Sequence, residues 1–170
     1  MQRRGLLKLG LVAATAMAVV GTVATLWQSS ESQGRKLTAP ALEVLAAVSV
    51  GLLEGSLPID PKARSTAVAS LLHRLAVTVS GLPLASQQEL RQLLSILALA
   101  PGRLALCSLA TDWSAASREE VRAALETMRA SSVTLRRQIY HALRDLTRAA
   151  WCADPATWIV MGYPGPQTVA

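Results

Sequence analysis

Apolar residues recur at helical spacing along most of this chain. From Ala41 to Leu53 almost every position is apolar, and a helix that is apolar on all sides is buried on all sides. This segment is therefore predicted to be central, or partly covered by a partner. Thr38 and Pro40 suit the first turn of such a helix, while Gly51 and Gly55 mark its end.

The next two segments each carry one apolar stripe. Asp60-Pro61 predicts a helix start, and apolar residues follow at i, i+3, i+4 and i+7 as far as Gly81. Ser86 to Glu89 matches a capping box, after which leucines keep the same spacing. Pro101-Gly102 is predicted to interrupt this second helix. The stripes consist of Val68, Leu71, Leu72, Leu75, Ala76 and Val79, then of Leu90, Leu93, Leu94 and Leu97.

Further helices are predicted toward the C-terminus. Ser117 to Glu120 is a second capping box, and Arg122 and Glu126 are spaced to pair at i, i+4. The best-defined helix begins after residue 132 and ends near Trp151. Its apolar side consists of Leu135, Ile139, Ala142, Leu143 and Leu146. Asp154-Pro155 then predicts one last turn.

These segments amount to five or six helices without a credible strand. Leu and Ala, both strong helix formers, dominate a composition that is 51% hydrophobic and lacks Phe. We therefore expect an all-α fold, a small helical bundle over residues 38–153. A linker at 31–37 precedes it, and a short turn with a Pro/Gly-rich tail follows at 154–170.

The first 30 residues have the pattern of a twin-arginine export signal. Arg3 and Arg4 are followed by Lys8 and then by an uncharged, weakly hydrophobic stretch at 9–27. Since about 20 such residues cross a bilayer, the leader is either cleaved or kept as a membrane anchor with its arginines inside. The domain is expected in the periplasm, free or tethered to the inner membrane.

The positive charge does not indicate a nucleic-acid partner. The formal net charge is +6, but three of the 17 basic residues lie in the leader. From Glu31 onward, 14 basic residues stand against 11 acidic ones, a net charge of +3. A nucleic-acid interface needs a clustered basic face with base-reading or stacking groups, which this sequence does not present.

Cys107 and Cys152 are the two cysteines, 45 positions apart. Neither belongs to a CxxC or CxxCH motif or to a Cys/His ligand set, which argues against zinc and c-type haem. In an exported protein they could form a disulfide with each other, or one could pair with a partner. Alternatively, both are small buried apolar residues.

The sequence offers no convergent polar groups for catalysis. His73 lies beside an apolar stripe, where a structural or solvated role is usual. His141 lies among arginines, which oppose a second positive charge. No catalytic-triad order, phosphate-binding glycine loop or HExxH motif occurs. We therefore expect a non-catalytic domain with no metal or cofactor of its own.

A row of basic residues follows one side of the last long helix. At about 100° per residue, Arg137, His141, Arg144 and Arg148 lie opposite the apolar side. They form either an ordinary solvated face or a docking face. The docking partner would be an acidic protein surface or anionic lipid headgroups, since a guanidinium binds carboxylates with two hydrogen bonds.

Aromatic residues are concentrated near the C-terminus. Trp151, Trp158, Met161 and Tyr163 fall within 13 residues, among prolines and glycines. They pack either on the domain itself or against a partner, because interface hot spots favour Trp and Tyr. Prolines of fixed φ would lower the cost of ordering such a segment.

The C-terminal motif resembles a known family. Residues 151–155 read Trp-Cys-Ala-Asp-Pro, Trp158 follows, and residues 162–166 read Gly-Tyr-Pro-Gly-Pro. With the leader and the helical domain, this is similar to the small accessory subunits grouped with subunit 3 of gluconate 2-dehydrogenase. It also resembles the signal-bearing small proteins that accompany flavin-dependent glucose–methanol–choline oxidoreductases. The similarity covers the whole chain loosely and residues 151–166 more closely.

The resemblance implies an escort function. In such pairs the large flavoprotein typically lacks a signal, folds around its FAD in the cytoplasm, and leaves attached to the small subunit through the twin-arginine translocase. Gln2 and Leu6 depart from the Ser or Thr and the Phe usual in such leaders, although the paired arginines remain. The family supplies no catalytic residue in the small subunit, so none is expected here.

Partner contacts are then expected from the aromatic residues Trp151, Trp158 and Tyr163, and from the apolar helix at 42–53. The alternative is a self-sufficient, membrane-tethered periplasmic protein that binds a small apolar ligand in a closed helical bundle.

Overall fold

The computed structural model describes residues 37–166, and over this range the chain forms seven α-helices and no strand. The all-α expectation is confirmed, with a four-residue helix included in the seven. Arg3, Arg4, Lys8 and nearly all of the 31–37 linker lie outside the described residues. The helices are α1 (Ala39–Leu52), α2 (Pro61–Ser80), α3 (Leu84–Ala98), α4 (Ala100–Cys107), α5 (Arg118–Arg129), α6 (Thr134–Cys152) and α7 (Pro155–Trp158).

Helix α1 forms the centre of the domain, as its sequence predicts. Val44, Leu45 and Val48 are fully buried, and α2, α3, α5 and α6 all pack against this helix. Between residues 41 and 53, only Glu43 is classed as exposed. Because α1 has almost no polar side, the four longer helices cover it from different directions.

Gly51 lies inside α1 rather than at its end. A Cβ atom at this position would lie 2.9 Å from Cγ1 of Val121 and 3.0 Å from Cδ1 of Leu125, both on α5. The absence of a side chain therefore lets α5 approach the backbone of α1 closely. The helix ends one residue later, at Leu52.

Three predicted helix starts are present. The hydroxyl of Thr38 accepts from the Ala41 amide at 3.4 Å, and Asp60 accepts from the Ala63 amide at 2.7 Å. At the start of α5 both bonds of the capping box form between Ser117 and Glu120. Hydrogen bonds from the Ser117 backbone and hydroxyl lower the pKa of the Glu120 carboxyl.

The capping box predicted at Ser86 is wrong. Helix α3 begins two residues earlier, at Leu84, with Pro83 in the N-cap position and no side-chain cap. Gln87, the second residue of the supposed box, is buried instead. Its amide nitrogen donates to the carbonyls of Ser80 and Leu82, at 3.1 and 2.8 Å. This side chain therefore stabilises the α2–α3 turn, which a local motif does not reveal.

The break between α3 and α4 also differs from the prediction. It lies at Leu99, which is extended (φ −80°, ψ 139°), and the two helices meet at 97°. Pro101 belongs to the first turn of α4, where proline is tolerated. Within residues 37–166 no single helix is long and apolar enough to cross a membrane; α3 and α4 would suffice only together, across this bend.

The connection from α4 to α5 is organised by a buried arginine that the sequence pattern did not indicate. Arg103 donates to the carbonyls of Leu109 and Ala110, at 3.3 and 3.2 Å, and pairs with Asp112 at 2.6 Å. The indole of Trp113 donates to the Leu97 carbonyl at 2.7 Å. A buried guanidinium needs several acceptors, and here the connecting segment supplies them.

Helix α6 buries a slightly different sector from the predicted one. Ile139 and Leu143 are buried, but Leu135 and Ala142 are exposed. The contact face extends instead toward Thr147, Ala150 and Trp151, which leaves Leu135 and Ala142 beyond its edge.

On α5 the expected pairing of Glu126 with Arg122 is replaced by a bidentate pairing with Arg129. The guanidinium of Arg129 donates to both carboxylate oxygens of Glu126, at 2.6 and 2.8 Å. The i, i+3 spacing still places the two side chains on one exposed face of the helix. These hydrogen bonds lower the pKa of Glu126.

Replacing Gly102 with alanine should destabilise the domain. An added Cβ would overlap the carbonyl oxygen of Ile96, so the α3–α4 bend must open. We expect a loss of about 2 kcal/mol or more in the free energy of unfolding, because overpacking outweighs the helix propensity of Ala. Urea denaturation followed by circular dichroism measures it.

Gly81→Ala is the matched control. Gly81 has an ordinary φ of −82°, and its Cβ would meet nothing closer than the Thr78 carbonyl at 3.5 Å. This variant should be neutral, or more stable by up to about 1 kcal/mol. Equal stability of the two variants would contradict the packing role of Gly102.

Candidate protein-interaction surface

A groove of about 600 Å³ runs between α2 and the C-terminal segment. Residues of α2 form one wall, and residues of α7 and the following turn form the other. Trp151, which is buried, lines the groove together with Val160. The α2 wall consists of Lys62, Ala63, Thr66, Ala67, Ser70 and Arg74. The groove is open to solvent along its length.

Arg74 fixes the position of the C-terminal segment. Its Nε donates to the Ala150 carbonyl at 3.0 Å, and its Nη1 pairs with Asp154 at 2.8 Å. Asp154 also accepts from the Ala156 amide at 2.9 Å, which caps α7. One guanidinium thus satisfies a carbonyl in the last turn of α6 and holds the carboxylate that starts α7.

Trp158 fixes the residues after α7. Its indole nitrogen donates to the Cys152 carbonyl at 2.6 Å. Its ring meets Tyr163 edge-on, with ring centres 5.4 Å apart. Gly165 packs on the other part of the indole, since a Cβ there would lie 3.4 Å from Cζ3. The chain from 158 to 165 is therefore held in one conformation around this tryptophan.

The turn held in this way presents apolar side chains to water. Ile159 is 83% exposed, Val160 62% and Met161 46%; we call these three residues the apolar ridge. Tyr163 beside them is 49% exposed. Single exposed apolar residues are common on protein surfaces, whereas contiguous ones mark interaction sites.

On the basic side of α6, His141 and Arg148 are exposed, whereas Arg137 and Arg144 are half-buried. Arg144 pairs with Asp145 at 2.8 Å and lies over the ring of Tyr140, 5.9 Å from its centre. Arg137 donates to the Ser131 carbonyl at 2.7 Å. Arg148 is exposed and has no hydrogen-bond or ion-pair partner among residues 37–166. This row of basic residues is called the basic strip and comprises Arg137, His141, Arg144 and Arg148.

Cys152 connects the basic strip to the apolar ridge. It lies one helical turn after Arg148 on the same side of α6, and its Sγ is 3.9 Å from Sδ of Met161. Val160, in contrast, lines the groove. The ridge therefore separates the groove on one side from the basic strip on the other.

The two cysteines are in different environments, and both are free thiols. Cys107 is buried in the core, and this burial raises its pKa to about 11, although Arg136 and Arg103 act in the opposite direction. Cys152 is exposed. A disulfide to a partner, through Cys152, stays a prediction.

Of the predicted contact residues, Trp158 and Tyr163 are in direct contact in the structure. Trp151 belongs to the core and lines the groove, Trp158 is half-buried, and Tyr163 is exposed. Sequence reasoning missed Arg74 and the ridge. The available sequence signal for Arg74 was an arginine next to the leucines of the α2 stripe. For the ridge, the signal was the Ile-Val pair after Trp158.

Other chemistry finds little support in this region. No three His, Cys, Asp or Glu side chains converge as metal ligands within residues 37–166. His73 and His141 are both exposed. Compared with family models, with curated protein sequences and with solved structures, the chain gives no match.

Arg74→Met should loosen the C-terminal segment. The substitution keeps an apolar stem but removes the bonds to Ala150 and Asp154. Since hydrogen bonds to charged groups contribute about 1.5–3 kcal/mol, and this pair is partly exposed, we expect a loss of about 1–2 kcal/mol in the free energy of unfolding. Amide exchange at Ala156 and Thr157 should accelerate. Arg122→Met, at an exposed position of α5, is the control, and equal effects would contradict the role of Arg74.

The two thiols should differ in reactivity. With N-ethylmaleimide at neutral pH, we expect one label in the folded protein, at Cys152, and two labels in urea, counted by mass spectrometry.

The raised pKa of Cys107 also means that the unfolded chain ionises this thiol at a lower pH than the folded protein does. The free energy of unfolding should therefore fall as pH rises from 9.0 toward about 11. Rapid labelling of Cys107 in the folded protein would contradict its burial.

Proposed function

We propose that this protein is a non-catalytic small subunit that binds a flavin-dependent dehydrogenase of the glucose–methanol–choline type. It would escort that enzyme, already folded, through the twin-arginine route. The observation that carries the binding part is the apolar ridge, because three adjacent apolar side chains are held in water by an ordered turn. The family resemblance supplies the kind of partner, and the leader supplies the export route.

Physical considerations favour binding through this ridge. Covering apolar surface yields about 25 cal/mol per Å². The turn is already ordered by Trp158 and Arg74, so little conformational entropy is lost on association. Tyr163 adds an aromatic side chain of the kind that interface hot spots favour. A partner would thus gain from burying a surface whose shape is present before binding.

The escort role follows from combining this surface with the leader. A large subunit without its own signal can be exported only if it stays attached to one that has a signal. Binding to the folded form of the large subunit also stabilises that form by mass action. FAD would belong to the large subunit, and this chain would supply the export signal and the contact surface.

The alternative, a tethered periplasmic protein that binds a small apolar ligand, has weaker support. Such a ligand favours an enclosed, mostly apolar cavity. The groove beside α2 is open, and Asp60, Lys62 and the Arg74–Asp154 pair lie along it. These features suit a protein surface better than a small apolar molecule.

Gentle isolation of the tagged full-length chain from periplasmic and membrane fractions tests the proposal. We expect a stoichiometric partner several times larger, with the absorbance of bound flavin. Ile159→Ser combined with Val160→Ser should reduce its recovery about tenfold or more, as hot-spot losses of about 1.4 kcal/mol or more imply. Both side chains are largely exposed, so circular dichroism should show an unchanged fold.

Leu104→Ser is the matched control, because Leu104 on α4 is 57% exposed but lies away from the ridge in sequence; its recovery of the flavoprotein should be unchanged. A colourless monomer from every fraction would reject the escort function. The escort function would also be rejected if the large subunit were exported active and in full yield without this chain.

A further inference from the structure

We propose that the apolar ridge and the basic strip form one docking surface, and that the matching surface of the partner is an apolar socket with carboxylates along one rim. The inference rests on the proposed function for the identity of the partner. It adds which face of this chain is covered, what chemistry covers it, and how the partner is oriented.

The first observation is continuity. The four residues of the basic strip and Cys152 fall within a sector of about 80° on α6, taking 100° per residue. Cys152 ends this sector, and its sulfur lies 3.9 Å from that of Met161 on the ridge. A partner that covers the ridge from this side must therefore pass over Cys152 and meet Arg148.

The second observation is an asymmetry of charge across the ridge. On the groove side, Arg74 and Asp154 neutralise each other, and the exposed Asp60 and Lys62 have opposite signs. On the α6 side, Asp145 is the sole acidic residue of the helix and already pairs with Arg144. Arg148 has no such partner among the described residues. Unmatched positive charge thus lies on one side of the ridge.

This asymmetry selects the chemistry of the partner. A guanidinium that is covered without an acceptor costs free energy, so an apolar surface extending over Arg148 would be rejected. Carboxylates in that position would pair with it, and arginine favours them through its planar geometry. The partner should therefore be apolar opposite Ile159 and Val160, and acidic opposite Arg148.

A protein surface fits this arrangement better than a membrane. The ridge is fixed by the Trp158 indole bond and by its contact with Tyr163, which suits a socket of defined shape. The carboxylate of Asp145, which pairs with Arg144 of the strip, is also exposed, with 62% of its side chain accessible. That negative charge would be repelled by anionic headgroups but can be accommodated by specific pairing in a protein interface.

Cys152 provides a built-in reporter for the test. The full-length chain, alone and in its isolated flavoprotein complex, is treated with N-ethylmaleimide, and the labelling rate of each thiol is followed by mass spectrometry. We expect Cys152 to react at least tenfold more slowly in the complex. Cys107, buried in both states, is the internal control for unfolding. Faster labelling of Cys107 would mean that the complex disrupts the domain and would overturn the inference.

A charge reversal tests the acidic rim separately. Arg148→Glu should lower recovery of the flavoprotein about tenfold at low salt, with a smaller effect at high salt because ions screen the repulsion. Arg122→Glu, an exposed reversal on α5, is the matched control and should leave recovery unchanged. Equal losses of flavoprotein recovery from both variants would mean a general charge effect and would overturn the proposed acidic rim of the partner.

The outcomes separate this inference from the proposed function. If Cys152 in a flavoprotein complex is labelled as fast as in the chain alone, the proposed docking surface is overturned but the escort function is not. A flavin-free partner that protects Cys152 supports the surface but removes the flavoprotein assignment. Absence of any complex overturns both. Binding of the purified chain to phosphatidylglycerol vesicles, lost in Arg148→Glu, would overturn the protein occupant in favour of a membrane.

Discussion

The burial of α1 is the constraint on which the rest of the domain depends. A helix that is apolar on every side must be covered on every side, and α2, α3, α5 and α6 each do so with one apolar stripe. The approach of α5 is close enough that Gly51 must lack a side chain. The bend at Leu99 and the buried Arg103 then return the chain from α3 to the position where α5 can begin.

The C-terminal segment is attached by a different kind of interaction. Helix α7 has four residues, which is too short to be stable alone. Polar bonds from Arg74 and from the Trp158 indole hold it instead. Because these bonds use backbone carbonyls and one carboxylate, the apolar side chains of the turn are not needed for attachment. They remain available on the outside, which is how an ordered element comes to expose its most hydrophobic residues.

The sequence predicted features that depend on local spacing. Periodic leucines identified the helices, and Ser117-Glu120 identified a cap, because both patterns act within one or two turns. The break at Leu99 was misplaced because Pro101 is equally compatible with a helix start. Arg103 could not be assigned, since its acceptors are mainly backbone carbonyls, and a carbonyl has no residue type. Arg74 could not be assigned because the Ala150 carbonyl and Asp154 lie far from it in the sequence. The ridge required the indole direction of Trp158, which only the folded chain defines.

The bond from Arg74 to Ala150 joins residues 76 positions apart. A contact over such a separation requires α2 and α6 to be packed against each other, and closing so long a loop costs entropy that nearer contacts do not cost. The position of α7, which precedes the ridge, therefore depends on the packed bundle. A chain whose bundle is incomplete would lack the surface altogether, so a partner that recognises the ridge would also be recognising that folding is finished. For the proposed export of a folded complex, recognition of the ridge would then depend on the folded state of this chain.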